Sequence, residues 1–320
     1  MNSIRLILII AISPGLISAE HPVFDMDHWK AIFPYQEMFS PDRQRHFSTT
    51  PPDSPLDLRK PSGVIVDSPK DLVQVMEIRR DVIARSKLKE SSISDVFVWA
   101  NGEPPKPYLT KIGGCPYRAK NTEWPNSEGE KFQFIFQVYF GDSLDLVKKF
   151  NLPGNIMLVY GKGENFWADE KNCMKIEWVK APIEESLYEE KDLPKPGFYV
   201  PHLHGVIYRT QEYSSEQDVF EKEGFNDSWL LSSLQATKIG TEPYWIQGEV
   251  VDFGYETFFS FSGPNIYTEK WPLINIEKLV KNKNFHGYSG NVFSFCMADC
   301  GTLYFSINIK GRVSCKFQCY

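Results

Sequence analysis

Several signals are missing from this 320-residue chain, and each absence removes a class of function. It contains no Gly-x-Ser-x-Gly, no His-Glu-x-x-His and no Gly-x-Gly-x-x-Gly. Those are the turns and helices that present a nucleophilic serine, a zinc-protease histidine pair and a dinucleotide pyrophosphate. Lysine and arginine form no cluster and the net charge is −6, which argues against a nucleic acid partner. After residue 12 no apolar run approaches the ~20 residues that a spanning helix needs. Histidine is sparse, at six. His202-x-His204 offers two ligands from one strand face, but a third would have to come from His286, Asp299 or a glutamate through folding. The preferred reading is two solvent-edge histidines after Pro201, with no metal and no cofactor.

What is present begins at the amino terminus. Arg5, the apolar run Leu6 to Ile12, the Pro14-Gly15 break and the small residue Ala19 have the order of a secretory leader, with cleavage expected before Glu20. Removing residues 1–19 takes away one charge, Arg5, and moves the net charge from −6 to −7. The expected location is therefore secreted or periplasmic; if the leader reading fails, it is cytoplasmic. Residues 20–63 carry seven prolines and little periodicity, and read as an irregular lead-in. The rest, 64–320, is rich in aromatic residues and reads as one duplicated domain, with halves at roughly 96–181 and 198–320.

Apolar residues at three- and four-residue steps predict a helix over 69–89, capped by Ser68 with Pro69 at its first position. A shorter helix is expected at 142–150, and further helices at 215–222, 229–235 and 276–281. Dense β-branched and aromatic stretches predict strands at 96–100, 132–140, 155–160, 206–209 and 257–261. A closing hairpin has arms 302–309 and 312–319 about Lys310-Gly311. The acidic, proline-bearing stretch 182–197 reads as the connector. The expected fold class is thus α+β, with two β-rich halves and short packing helices.

One phrase occurs twice. Thr110-Lys111-Ile112-Gly113-Gly114-Cys115-Pro116-Tyr117 returns as Thr237-Lys238-Ile239-Gly240-Thr241-Glu242-Pro243-Tyr244. An aromatic strand and then a glycine-led strand follow each copy, so duplication is favoured over chance. Glycine and proline make the phrase a shaped turn, and its lysine precedes the glycines, unlike a phosphate loop. The string Lys111-Ile112-Gly113-Gly114-x-Pro116, Trp124-Pro125, Gly129, Phe136-Gln137 and Leu152-Pro153-Gly154 resembles the YwqG-like family of domains of unknown function. The likeness covers roughly 100–320 and is strongest over 109–160. In the second half Trp245 and Gln247 match the family's later words, while Thr241 breaks the glycine pair. A more distant likeness is to the programmed-cell-death-protein-two type, whose zinc-binding insert has no counterpart here. The resemblance implies a duplicated α+β fold with no established reaction.

All six cysteines lie beyond residue 19, an even number that suits disulfides in an exported chain. Cys296/Cys300 and Cys315/Cys319 are too far apart along a strand, at about 13 Å per pair, to share one zinc ion. With a two-residue turn at Lys310-Gly311, Cys319 faces Thr302, and Cys300–Cys319 is the expected disulfide. Cys115 with Cys173 stays open. For function, the expected reading is a non-enzymatic binding or protein-interaction module for an unknown protein or small ligand. Its site would gather Lys111, Trp124, Gln137, Lys238, Trp245 and Gln247 in an aromatic groove between the halves. The alternative is a hydrolase-like enzyme using His202, His204 and acidic residues in that groove.

Overall fold

The computed structural model describes residues 20–24, 76, 91–168, 172–212, 234–263, 265–266, 293–295, 297–298 and 301–319. Its centre is one ten-stranded antiparallel sheet. The strands are β1 (Ser92–Asn101), β2 (Lys111–Ile112), β5 (Gln133–Tyr139), β6 (Ile156–Gly161), β7 (Met174–Val179), β8 (Leu203–Glu212), β9 (Lys238–Ile239), β10 (Tyr255–Ser262), β13 (Thr302–Asn308) and β14 (Val313–Gln318). They lie in the order β14-β13-β10-β9-β1-β8-β2-β5-β6-β7. Two small hairpins stand apart, β3 (Asn126–Ser127) with β4 (Glu130–Lys131) and β11 (Asn265–Ile266) with β12 (Phe293–Ser294).

Alternation along each strand sends Phe97, Ile112, Phe136, Val159, Ile239, Phe259 and Phe305 to one face, where all are buried. That face cannot stay flat. Strands β5 and β10 are five positions apart, about 24 Å in an open sheet. Yet Phe136 stacks on Phe261 with ring centroids 4.0 Å apart, and Phe140 lies 5.7 Å from Phe258. The sheet therefore curls until its two wings meet over a common aromatic core. The other face is covered over the first wing by Tyr117, Trp124 and the stretch around Ile183, Leu187 and Tyr188. The expected connector 182–197 is thus partly a cover that packs on the sheet.

The strand order reads the same from either edge. The set β1, β2, β5, β6, β7 has its counterpart in β8, β9, β10, β13, β14, but the first strand of each set pairs with the other set's phrase strand. The correspondence extends to individual bonds. Ile112 faces Phe136 as Ile239 faces Phe259, and both aromatic strands carry an irregularity just before that pair, between Phe134/Phe136 and Thr257/Phe259. The Gly113 amide donates to the Ile135 carbonyl (2.7 Å) as Gly240 does to Phe258 (3.1 Å). The Thr110 hydroxyl accepts from the Tyr139 amide (3.1 Å) as Thr237 accepts from Ser262 (3.2 Å).

The α+β expectation is corrected: the described chain is mostly β. The helix described along its whole length is α1 (Leu144–Val147), one turn long and preceded by a 3-10 turn at Gly141–Ser143. Aromatic and β-branched residues could bury themselves most completely on a curled sheet, and among the described residues the repeat units close on each other directly. Of the helix expected over 69–89, only Met76 is described; it is helical and packs on the core. The helices expected at 215–222 and 276–281, and nearly all of 229–235, lie outside the described residues. Strand β7 has no counterpart among the sequence expectations. The short helix α1 is held over the end of the sheet by Arg209, which donates to Asp95 (2.7 and 2.8 Å) and to Asp145 (3.0 Å).

The closing hairpin forms, one residue out of the expected register. Thr302 faces Gln318 and Phe305 faces Cys315, because Ile309, Lys310 and Gly311 make a three-residue loop with Gly311 at φ 75°. A glycine in the left-handed region ending such a loop is a common hairpin closure. One residue of slip turns every side chain to the other face, so Cys319 does not face Thr302 and the register argument for Cys300–Cys319 lapses. Cys300 lies outside the described residues, and Cys115, Cys315 and Cys319 are free thiols. The expectation of a disulfide is not met among the described residues.

Gly113 sits at φ 63°, and a methyl group there would press on the Pro201 carbonyl oxygen. Gly102 has φ 87° with open space around it. We expect Gly113→Ala to lower the unfolding free energy by about 2–4 kcal/mol, backbone strain and clash together. Gly102→Ala carries the strain alone, about 1–2 kcal/mol. Urea unfolding of the two variants measures the difference, and equal losses would contradict the close approach of Gly113 to the chain entering β8.

Candidate functional site

The two lysines of the repeated phrase lie on short strands buried within the sheet, and each meets a glutamate near the end of its own set's first strand. Lys111 Nζ is 2.7 Å from Glu103 Oε2, with the lysine side chain 2% and the glutamate 51% exposed. Lys238 Nζ lies 2.9 and 2.8 Å from the two oxygens of Glu212, with both side chains inaccessible. Glu212 also accepts from the Ser94 hydroxyl (2.5 Å) and the Leu234 amide (2.6 Å). Burial without such partners would be prohibitive for either charge. Strands β8 and β1 separate the two lysines, and the register sets them four residues apart along β8 (opposite His204 and, through Val96, Tyr208), so in the sheet they stand about 19 Å apart and do not converge.

Gln137 faces Lys111 across β2 and β5 and is wholly buried. Its carbonyl accepts from the Tyr117 amide (2.8 Å), and its amide donates to the Pro107 and Leu109 carbonyls (2.9 and 2.8 Å). It pins the exit of the first phrase. In the second set Tyr304 plays that part, its hydroxyl donating to the Tyr244 carbonyl (2.6 Å). Trp124 is buried too, with its indole N–H on the Phe132 carbonyl (2.7 Å) and its ring edge against Tyr160 and Tyr188. Arg118 lies beside those rings, bonded to Glu177 and to the Thr122 and Glu123 carbonyls. Trp245 leans on Tyr304, at 4.5 Å between centroids, and Gln247 donates to the Cys319 carbonyl (2.6 Å). The structure thus brings Lys111 together with Gln137, and Trp245 with Gln247. It does not bring the six residues into one groove, and the polar ends of Lys111, Gln137 and Lys238 are engaged in internal bonds.

The histidine pair divides. His202 is exposed, whereas His204 is partly buried, bonds the Gly102 carbonyl (3.1 Å) and has its pKa lowered by burial. Among the described residues no three of His, Cys, Asp and Glu converge as metal ligands.

A different histidine makes the most organised polar array. His21 Nδ1 lies 2.8 Å from Asp142 Oδ2, and its Nε2 lies 2.8 Å from the Thr110 hydroxyl and accepts from the Thr110 amide (3.0 Å). An acceptor role for Nε2 puts the ring proton on Nδ1, pointing at Asp142. Burial alone would raise the Asp142 pKa, but the His21 ring and the amides of Glu20 and His21 outweigh it and hold the carboxyl below its usual range. The connectivity is that of an acid–histidine–hydroxyl relay. Thr110 is 1% and His21 2% exposed, and the hydroxyl repeats the clamp made by Thr237, so the array is a tether for residues 20–24. Sequence reasoning missed it; the single available hint was that a threonine opens both copies of the phrase.

A cleft of about 380 Å³ lies at the end of β6 and β7, against α1. Phe140, Val147, Phe150 and Leu152 form its apolar wall, and Lys148 and Lys180 stand at its rim. Leu144, also on the lining, is 58% exposed. Asn155 accepts from the Ala181 amide (2.7 Å) and fixes the far wall. Among the described residues Lys148 and Lys180 have no acidic partner, whereas neighbouring Lys149 is paired with Glu256. The only sequence signal for this place was the adjacent pair Lys148-Lys149 closing a short apolar turn.

The two phrase lysines differ in one respect that can be measured. Glu212→Ala takes both carboxylate contacts from a fully buried ammonium and leaves the Ser94 hydroxyl and the Leu234 amide without their acceptor, and is expected to cost about 3–5 kcal/mol. Glu103→Ala vacates a half-exposed position that water can fill, and is expected to cost about 1 kcal/mol or less. Thermal or urea unfolding of the pair gives the comparison, and a larger loss for Glu103→Ala would reverse the assignment.

No curated protein matches the chain. A family model does: residues 110–319, from the first threonine of the first phrase to the second-last residue, match the model described as domain of unknown function DUF1963. With about two thirds of its length so matched, including both copies of the phrase and every strand of the sheet except β1, the chain belongs to this family, the YwqG-like domain of unknown function.

Proposed function

We propose that this is an exported, non-enzymatic binding module, and that the cleft beside α1 takes an acidic segment of a partner protein anchored by one apolar side chain. The observation that carries the reading is the pairing of an apolar wall with two lysines at its rim that have no acidic partner among the described residues. An apolar pocket with a few placed polar groups is the usual form of a recognition site. Charges left free at a rim steer an oppositely charged partner and set its orientation. Leu144, exposed on the lining, extends the apolar contact outward. The hydrolase alternative looked to His202 and His204, of which one is exposed and the other partly buried on the Gly102 carbonyl; the Asp142–His21–Thr110 array is a separate arrangement, and its burial leaves a substrate carbonyl no approach to the hydroxyl.

A fluorescein-labelled peptide with one leucine among aspartates serves as probe, read by anisotropy with the full-length protein. Saturable binding is expected. It should weaken about ten-fold or more, ~1.4 kcal/mol, in the Lys148→Glu/Lys180→Glu variant, and also on raising the salt. Leu144→Asp should weaken it as well. Absence of saturable binding, indifference to the double charge reversal, or hydrolysis of the probe would each overturn the reading.

A further inference from the structure

We propose that the bond between Ala19 and Glu20 is cut in the mature protein, and that the α-ammonium group so released is held by Asp142. The proposal rests on the export half of the reading above and is independent of the cleft. Residues 5–19 have the composition of a leader with a small residue before the cut. The residue directly after that point is already built into the fold. Glu20 N donates to Asp142 Oδ1 (2.9 Å), and His21 N and Nδ1 both bond Asp142 Oδ2 (2.7 and 2.8 Å).

The tether does not end there. The His21 ring is 2% exposed and lies 5.5 Å from Phe97 and 5.7 Å from Tyr139. Its Nε2 meets Thr110, the first residue of the phrase. The Ile207 amide donates to the Pro22 carbonyl and the Phe24 amide to the Ile207 carbonyl, both at 2.8 Å, so residues 22–24 run beside β8 beyond the short strand β2. The Glu20 carboxylate lies 3.5 Å from Lys106. Five residues are thus tied in by backbone, ring and charge, starting at Glu20.

Hydrolysis changes the chemistry of the first contact. A peptidase that accepts a small residue ahead of the cut adds water to the Ala19 carbonyl. The C–N bond breaks, Ala19 leaves as a carboxylate, and the Glu20 nitrogen gains protons to become –NH₃⁺. A neutral amide donor to the Asp142 carboxylate becomes a charged one, so a bond with one ionised partner becomes an ion pair. The mature terminus would then be recognised by the domain it belongs to, and export would be coupled to a tighter fold.

Two measurements on the full chain decide it. The first is the intact mass and first residue of the protein recovered from the medium or periplasm of a secreting host. The expected chain begins at Glu20; a chain that keeps its leader, or begins elsewhere, overturns the proposal. The second compares Asp142→Asn in that exported form and in the uncut full-length chain made by cell-free translation without membranes. Both lose the His21 contacts, so only the ammonium distinguishes them. The melting temperature should fall by about 2–4 °C more in the exported form. Equal falls would show that the cut end is not held by Asp142. Failure of the peptide probe at the cleft leaves both measurements unaffected.

Discussion

The stacking of Phe136 on Phe261 is the contact on which the architecture depends. Ten strands laid flat would expose one apolar face along their whole width, and no helical layer among the described residues covers it. The sheet instead covers itself. Its aromatic strands, β5 and β10, approach from opposite wings and meet through Phe136, Phe259, Phe261 and Phe305. Burying side chains of this size is worth about 1.5–3 kcal/mol each, and offset or edge contacts between rings add to it. The curl makes the position of everything else a consequence: the cover over the first wing, the helix α1 over the sheet's end, and the cleft beside it.

The exchange of first strands explains why the phrase is repeated with its lysine. β2 and β9 are two residues long, and yet each bridges two longer strands of the sheet. So short a strand needs further fixing, and each receives the same kind: a threonine clamping the aromatic strand and a lysine pinned to a glutamate. The pairs are equivalent in place and unequal in solvation, since Glu103 is open to water and Glu212 is not. Buried ion pairs are poor sources of net stability, and in some systems they select one arrangement over others. Here each ties its phrase strand to the end of its own set's first strand, across the strand that lies between. The same device appears at the amino terminus, where Asp142 and Thr110 tie residues 20–24 alongside β8.

Much of the strand plan was legible because its signal is local. Aromatic and β-branched residues at 133–139, 156–161 and 302–308 mark strands whatever surrounds them, and the repeated phrase announced the duplication. The family was legible for the same reason, through Lys111, the glycine pair, Trp124 and Gln137 in order. The hairpin register was not, because a loop of two residues or three at Ile309 to Gly311 is a choice of backbone angles, and these residues permit both. Strand β7 was hidden by its half-buried, mixed composition. The candidate site was the least legible part. Lys111, Gln137 and Lys238 stand out in the sequence as conspicuous polar residues, yet their polar ends make internal bonds, and the cleft is made by residues 140–155 and 180–181, which sequence leaves unconnected.

By itself, then, the sequence determined the β-rich units, the order of elements within each, and the membership of the family, since these depend on side-chain shape and on neighbours a few residues away. Tertiary structure alone decided that the first strands trade places, that the sheet closes on itself, that the phrase lysines are engaged by Glu103 and Glu212, and that Lys148 and Lys180 come to line a cleft without an acidic partner among the described residues. Those outcomes depend on which distant residues meet. The free energy of burying an aromatic face or a charge is fixed by the partner it finds, and the partner is named only when the chain has folded.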